Sequence, residues 1–348
     1  MKIIRVNQSR IDTVDFSNLP FGKVFTDHML LCSYANGRWS EPEIRPYGPI
    51  PLSPATHALH YGQAVFEGMK AYRKTDGKVS IFRPEANFNR LNRSAERMTI
   101  PQVPKEIFME GLIELVRLDK KWVPEGEELS LYIRPFLYAS SEFIAARPSE
   151  SYVFCILLSP SGPYYSGPVK VKIEEKYVRS ADGGVGFAKA AGNYGAAFYP
   201  TRLAQEAGFT QIIWTDHKNH SLIEESGTMN VAMVIDGVFR TPALSDRILA
   251  GITRDSILTI LRDNQYPVKE GPITVDELLT AAREERLSEM FGMGTAAVIS
   301  PISHVGYRDE LIEVPTPKNG ISAFVKKTLS DIRRGRVEDP YSWMVDVI

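Results

Sequence analysis

Cysteine is scarce in this chain: Cys32 and Cys155 are the only two among 348 residues. That excludes a disulfide scaffold, and because each sits in an apolar run, both are expected as buried thiols in a reducing compartment. Long apolar runs are missing too. The longest uninterrupted one, Tyr152 to Leu158, falls far short of the roughly 18 residues that a membrane-spanning helix needs. Neither sign of charge is in excess, with 41 Lys+Arg against 42 Asp+Glu, which leaves no basic surplus for nucleic acid or anionic lipid. Met1 to Val14 has no apolar block and contains Asp12, so no secretory or transit peptide is expected. Repeats and low-complexity tracts are also lacking. What is left is an ordinary globular composition, 43% hydrophobic and 24% charged, long enough for about two domains. A soluble cytoplasmic protein is the expectation.

Strand-like runs are expected at 28–34, 64–73, 79–83, 129–138 and 152–159. Between them, apolar residues three or four apart predict helices over 85–98 (Phe88, Leu91, Ala95, Met98) and 105–122 (Ile107, Leu112, Leu115, Val116). The segment SPSGPYYSGP holds the densest cluster of Pro, Gly and Ser, so a linker is placed at 160–168. It separates an N-terminal domain, 1–159, from a C-terminal domain, 169–348. The second opens on Val169, Val171 and Ile173 alternating with Lys170 and Lys172, a half-buried strand. Helices are expected over 196–207, 253–263, 276–286 and 322–334, with Thr274 and Glu277 forming a capping box for the third. Strands are expected at 211–215, 231–235, 288–293 and 296–302. Elements of one kind come in blocks, so an α+β fold is expected rather than a doubly wound sheet.

Several constellations bear on chemistry. Gly184-x-Gly186-x-x-Lys189 and Gly292-x-Gly294-x-x-Ala297 imitate a dinucleotide fingerprint, but the first has Lys where a small residue belongs. Pro301 denies the second its helix. The pairs His57/His60 and His217/His220 lack the further ligands of a metal site and read as a satisfied core histidine and a surface turn, so no metal is expected. In ADGGVGFAKAAGNYGAA a single lysine, Lys189, lies among Gly and Ala residues that leave room for something flat and bulky. Desolvation there favours the neutral amine that a nucleophile must be; the same pattern also fits an ordinary lysine at a helix start. Gly251 precedes a helix whose first amides, at Ile252 and Thr253, suit an anion, and Gly292 to Ala297 offers more accessible amides at a strand end. Glu224 and Glu225 form an acidic pair ahead of a buried strand, usually a solvated corner. Tyr132 and Arg134 share one face of a strand, and an arginine there is either structurally paired or waiting for a carboxylate.

Together, HYGQAVFEGMKAYR, IFRPEANFNRLNRSAERM, LYIRPF, AKAAGNYG, LIEESGTMNVA, LAGITRDSIL and FGMGTAA stand in the order found in branched-chain amino acid aminotransferases, fold-type IV pyridoxal-phosphate enzymes of the class-IV aminotransferase family. The resemblance covers nearly the whole chain and is closest to the longer members typified by the mammalian enzymes, down to FGKVFTDHML. It implies a two-domain α+β fold, with a smaller N-terminal α/β domain and a larger C-terminal domain whose sheet forms a pseudo-barrel. It implies pyridoxal 5'-phosphate as cofactor. The reaction implied is a reversible ping-pong transfer of the amino group of L-Leu, L-Ile or L-Val to 2-oxoglutarate, through pyridoxamine phosphate.

By the same resemblance, Lys189 forms the Schiff base and then moves the Cα proton, and Glu225 faces the pyridine nitrogen, leaving Glu224 the bland member of the pair. Arg90 matches the phosphate arginine, acting with Ile252, Thr253 and Thr295. Tyr194 matches the partner of the cofactor's phenolic oxygen, and Arg179 and Thr228 match further cofactor-side positions. Tyr61, Phe66, Tyr132, Arg134 and Tyr164 correspond to substrate walls, and the amides of Thr295 and Ala296 to the α-carboxylate site. The aromatic walls suit branched side chains, while Arg134 and the tyrosine hydroxyls suit the γ-carboxylate of glutamate. Ala297 and Ser300 replace the Cys-x-x-Cys pair of mammalian members, so their thiol control is not carried over. Family members are at least homodimers. D-amino acid aminotransferases and aminodeoxychorismate lyases share the lysine and glutamate, but Tyr132-x-Arg134 and Phe66-Glu67-Gly68 favour the branched-chain type. The retention of Lys189, Glu225, Arg90 and Tyr194 opposes an inactive homologue.

Overall fold

The computed structural model describes residues 1–165 and 167–347; Ser166, in the expected linker, and Ile348 lie outside the described residues. The chain divides into two compact units, one made of Met1–Tyr164, Ala188–Gly192 and Ser330–Ile348, the other of Tyr165–Phe187 and Asn193–Leu329.

The first unit is built on a sheet whose central strands are His28–Ala35, Tyr152–Ser161, Ser130–Ala139 and Met69–Arg73, all antiparallel to their neighbours in that series. Side chains alternate across a strand, so one face takes Leu131, Ile133 and Leu137 with Phe154, Ile156 and Leu158. Against that face pack Leu91 and Ala95 of helix Pro84–Arg97, and Phe108, Leu112 and Leu115 of helix Lys105–Leu118. The opposite face carries Ser130, Tyr132, Arg134, Phe136 and Tyr138, far more polar and aromatic than the core face. Cys32 and Cys155 are buried free thiols, and burial pushes both above the ordinary thiol range, which keeps them protonated and inert.

Two expected elements are interrupted, each for a local reason. The run 64–73 breaks into strands Ala64–Phe66 and Met69–Arg73. Glu67 donates its N–H to the Pro135 carbonyl (2.8 Å), but the proline has no N–H to return, so the ladder is lost at that pair. The helix expected over 105–122 ends at Leu118, because Asp119 is turned away to hold His28 through its backbone N–H (3.0 Å) and Nδ1 (2.6 Å). A 3₁₀ turn over Lys120–Trp122 follows.

In the second unit, strands Ile223–Ser226, Gln211–Thr215, Val169–Ile173, Val298–Tyr307, Leu287–Gly294 and Met229–Ile235 pair in that order. The last pairs back onto the first, so the six form a closed ring. Closure removes the sheet edges and encloses apolar side chains such as Val171, Ile213, Val231, Met233 and Ile302 in one core. Thr274 caps helix Val275–Arg283 by accepting the Glu277 N–H (2.9 Å), as the capping box predicts. Helix Ala191–Glu206 starts five residues earlier than expected and carries Pro200 within it. Among the described residues, no helix is long and apolar enough to cross a membrane.

Candidate active site

In the first unit, five of the expected site residues meet on the face of the sheet away from the helices. Lys189 is held there by its backbone: its N–H donates to Ser94 Oγ (2.9 Å), and its carbonyl accepts the Phe66 N–H (3.1 Å). Its amine lies 4.7 Å from the centre of the Phe66 ring, and the Arg134 guanidinium lies 4.7 Å from the same ring. One aromatic platform therefore carries both cations. Arg134 Nη2 donates to the Tyr132 hydroxyl (2.9 Å), whereas its buried Nε has no hydrogen-bond partner among the described residues. The Tyr132 hydroxyl lies over Gly68, where any side chain would collide with it. Phe21, edge-on to both Tyr132 (4.8 Å) and Tyr164 (5.0 Å), completes the row.

Arg90 belongs to the same neighbourhood, since Ser94, one helical turn on, donates to the Arg90 carbonyl (2.9 Å) while receiving the Lys189 N–H. Its guanidinium forms a two-pronged pair with Glu67, Nε to Oε1 at 2.7 Å and Nη2 to Oε2 at 2.8 Å. Both residues are buried, Glu67 completely. Tyr61 makes its contacts elsewhere: it is 43% exposed, packs on His57 (4.8 Å), and gives its hydroxyl to the Ile144 carbonyl.

The second unit gathers another set. Glu225 pairs with Arg179 (Nε to Oε2, 3.0 Å), and its Oε1 accepts from Leu249 N–H (2.8 Å) and Asn230 Nδ2 (3.2 Å). Asn230 also donates to the Leu249 carbonyl (2.9 Å) and lies so close to Gly251 that no side chain fits at 251. The carboxylate is thereby tied to the start of helix Ile252–Asp263, whose N-cap residue, Gly251, has no side chain to cap it. The start of a helix favours an anion through its dipole and first amides.

Glu224 faces the other way, onto Arg247, which also reaches Asp182. Burial pushes the Glu224 carboxyl above its ordinary value although Arg247 pulls it down. The acidic pair is thus buried on both sides, not the solvated corner that such pairs usually form. Thr228 lies exposed in the turn after Gly227, Thr295 and Ala296 lie half-buried in the turn between strands Leu287–Gly294 and Val298–Tyr307, and Tyr194 is half-buried in the first turn of its helix.

Among the residues of these clusters to which the sequence assigned no role are Glu67, Asn230 and Phe21. Glu67 and Asn230 are the carboxylate and amide that orient Arg90 and Glu225. Phe21 is the third, and its place beside Tyr132 depends on a strand more than 100 residues away. Glu67, inside an expected apolar strand, is the one that carried a usable sequence signal: a charge amid buried positions requires a partner.

In the first unit, an amine and a guanidinium share one aromatic ring, groups suited to an aldehyde and a carboxylate; in the second, a buried carboxylate is anchored beside a helix start. A match to the amino-transferase class IV family spans residues 64–305. The chain belongs to this family. Among the class IV enzymes it is similar to branched-chain-amino-acid transaminase 1 of Bacillus subtilis, 44% identical over 339 residues that cover 96% of this chain and 95% of the relative. It is also similar to a solved branched-chain aminotransferase from the thermophilic archaeon Thermoproteus uzoniensis with norvaline (TM-score 0.76, 26% identity, 92% of this chain and 100% of that one). A solved branched-chain amino acid aminotransferase of T.th., with pyridoxamine 5'-phosphate, matches with a TM-score of 0.75 at 25% identity, over 93% and 100% of the two chains. Like other class IV aminotransferases, this protein is a pyridoxal-phosphate-dependent transaminase of mixed α+β fold.

Proposed function

We propose that this chain is a branched-chain amino acid aminotransferase, reversibly moving the amino group of L-Leu, L-Ile or L-Val to 2-oxoglutarate. The observation that carries the reading is the Phe66 ring shared by the Lys189 amine and the Arg134 guanidinium. Relatives of the same name at 43–45% identity support it.

Pyridoxal phosphate, when bound, supplies an electron sink for the charge left when the substrate Cα gives up its proton. The chain's own groups do the rest. Lys189 would hold the cofactor and, with its amine released, would take the proton from the substrate Cα. Arg90, fixed by Glu67, takes the phosphate together with the Ile252 and Thr253 amides and Thr295. Glu225, held by Arg179, Asn230 and the Leu249 amide, would face the pyridine nitrogen and favour a proton there. Tyr194 donates to the phenolic oxygen, and Thr228 lies on the cofactor side. Phe66, Tyr132 and Tyr164 wall the apolar side chain, and the Thr295 and Ala296 amides take the α-carboxylate.

The substrates imply a division of labour at Arg134. Its buried Nε has no partner among the described residues, as befits a group that meets a carboxylate only when glutamate or 2-oxoglutarate arrives. Arg134→Leu is expected to slow the 2-oxoglutarate half-reaction by about 10- to 100-fold, the worth of a charge-assisted hydrogen bond. The leucine half-reaction should fall far less. Single-turnover rates of each half-reaction check this, and equal losses would make Arg134 a structural residue.

A homodimer in the cytoplasm belongs to the reading. Tyr61 (43% exposed) and Ile144 (69% exposed), joined by the Tyr61 hydroxyl on the Ile144 carbonyl, are exposed apolar groups of the kind that a second copy covers. The two buried free thiols fit a reducing compartment.

The test is the visible spectrum of the cofactor-loaded protein before and after L-leucine, then 2-oxoglutarate. Bleaching by leucine and recovery with 2-oxoglutarate are expected. Bleaching by D-alanine alone would overturn the substrate assignment and favour a D-amino acid aminotransferase.

A further inference from the structure

Ser94, to which the roles above assign no part in the chemistry, joins two residues that the proposed function gives to the cofactor. It lies in helix Pro84–Arg97 and is 1% exposed. A helical serine commonly returns its hydroxyl to the carbonyl four residues back, and Ser94 does so, donating to the Arg90 carbonyl (2.9 Å). The same oxygen also accepts from outside the helix, from the backbone N–H of Lys189 (2.9 Å), 95 positions along the chain.

That second bond closes a circuit. The Lys189 carbonyl accepts the Phe66 N–H (3.1 Å), and the next residue, Glu67, grips the Arg90 guanidinium through both of its oxygens. Ser94 leads from the Arg90 carbonyl back to the Lys189 N–H. Lys189 and Arg90 are thus tied to each other by two routes. One runs through strand Ala64–Phe66 and Glu67, with the bridge between Ala190 and Val65 beside it; the other runs through a single hydroxyl. Ala188 and Ala190, on either side of the lysine, are buried but bring only methyl groups to pack, so much of its placement falls to these backbone bonds. An N–H stripped of its acceptor inside a protein costs free energy, and without the hydroxyl the segment is expected to shift toward another partner.

Resting on the assignment of Lys189 and Arg90 to the cofactor, we propose that Ser94 is a positioning residue: its hydroxyl holds the lysine that meets the cofactor's aldehyde in register with the arginine that takes its phosphate. The reason lies in the shape of the ligand. Pyridoxal phosphate is a rigid ring that carries its aldehyde and its phosphomethyl group on adjacent carbons, so a lysine displaced from the phosphate site misses the aldehyde carbon. In the condensation a carbon–nitrogen double bond replaces the carbonyl, and the oxygen leaves as water with both amine hydrogens, so no further reactant is needed. Such a step depends on placement, and a displacement of about 1 Å can cost a hundredfold. Ser94 acts on the cofactor through the backbones of Lys189 and Arg90.

Titration of the cofactor-free enzyme with two ligands tests the proposal: pyridoxal phosphate, which condenses with the lysine, and pyridoxamine phosphate, which has the same ring and phosphate but no aldehyde. The first is read from the visible band that condensation produces, the second by calorimetry. In Ser94→Ala, pyridoxal phosphate should bind about tenfold or more weakly, while pyridoxamine phosphate binds as it does to wild type. Ser94→Thr, which keeps the hydroxyl, should recover the condensation. The proposal is overturned if Ser94→Ala condenses as wild type does, or if it weakens both ligands alike, the mark of a serine that only supports the fold. It is equally overturned if Ser94→Thr binds pyridoxamine phosphate normally but condenses no better than the alanine variant. Should Ser94→Ala fail to fold, Ser94→Cys, close to serine in size but a weak acceptor, is judged by the same two affinities. Wild type and Lys189→Ala are titrated first. A wild type that gives no band, or a Lys189→Ala that gives the same band, would defeat the cofactor assignment itself and be recognised as such.

Discussion

Lys189→Ala is expected to leave a folded protein whose transamination falls about a thousandfold or more, because a positioned proton-transfer group alone contributes roughly 10²–10⁴ in rate and the covalent anchor is lost with it. The fold should survive, because the segment is held through its backbone. The N–H of residue 189 on Ser94, its carbonyl on the Phe66 N–H, and the bridge between Ala190 and Val65 all persist with alanine. The side chain rests on one face of Phe66, and losing such a cation–π contact costs about 1 kcal/mol. Steady-state turnover with leucine and 2-oxoglutarate, alongside a circular-dichroism melt, checks both halves. Turnover within tenfold of the wild type would remove Lys189 from the chemistry, and a collapsed melt would show that the side chain, not the backbone, holds this segment.

How much of this site the sequence disclosed depends on how local each signal is. Alternation along 129–138 was enough to put Tyr132 and Arg134 on one face, and the strand Ser130–Ala139 has that form. A lysine among small residues was visible at 189, but its neighbours were not. Ser94 and Phe66 reach it by pairings across about 95 and 123 positions of chain, which leave no periodic trace near either end. The same holds for the return of Ala188–Gly192 and Ser330–Ile348 to the first unit. Glu224 and Glu225 are indistinguishable by composition; only pleating separates them, sending one to Arg247 and the other to Arg179 and Asn230. The ring of six strands was unreadable from strand positions alone, because closure is a statement about pairing order.

Glu67 offers the sharpest separation between a residue that only stabilises and one that serves the cofactor. Removing one partner of a buried ion pair leaves an uncompensated charge, which costs about 3–5 kcal/mol. Glu67→Ala is therefore expected to lower the unfolding free energy of the cofactor-free enzyme by that amount, read from urea denaturation, because Arg90 is 4% exposed and its two-pronged pair is with Glu67. Replacing both, Glu67→Ala with Arg90→Met, should recover much of the loss, since an apolar pair leaves no charge to desolvate. The cofactor makes the test specific. If Arg90 meets the phosphate, a bound dianion compensates the charge that Glu67 no longer balances. The penalty of Glu67→Ala should then shrink in saturating pyridoxal phosphate, and more modestly in inorganic phosphate, while wild type and the double variant show no such differential. A penalty that is the same with and without phosphate would confine Arg90 to an ion pair of the fold and leave the cofactor's phosphate to the amides of Ile252 and Thr253.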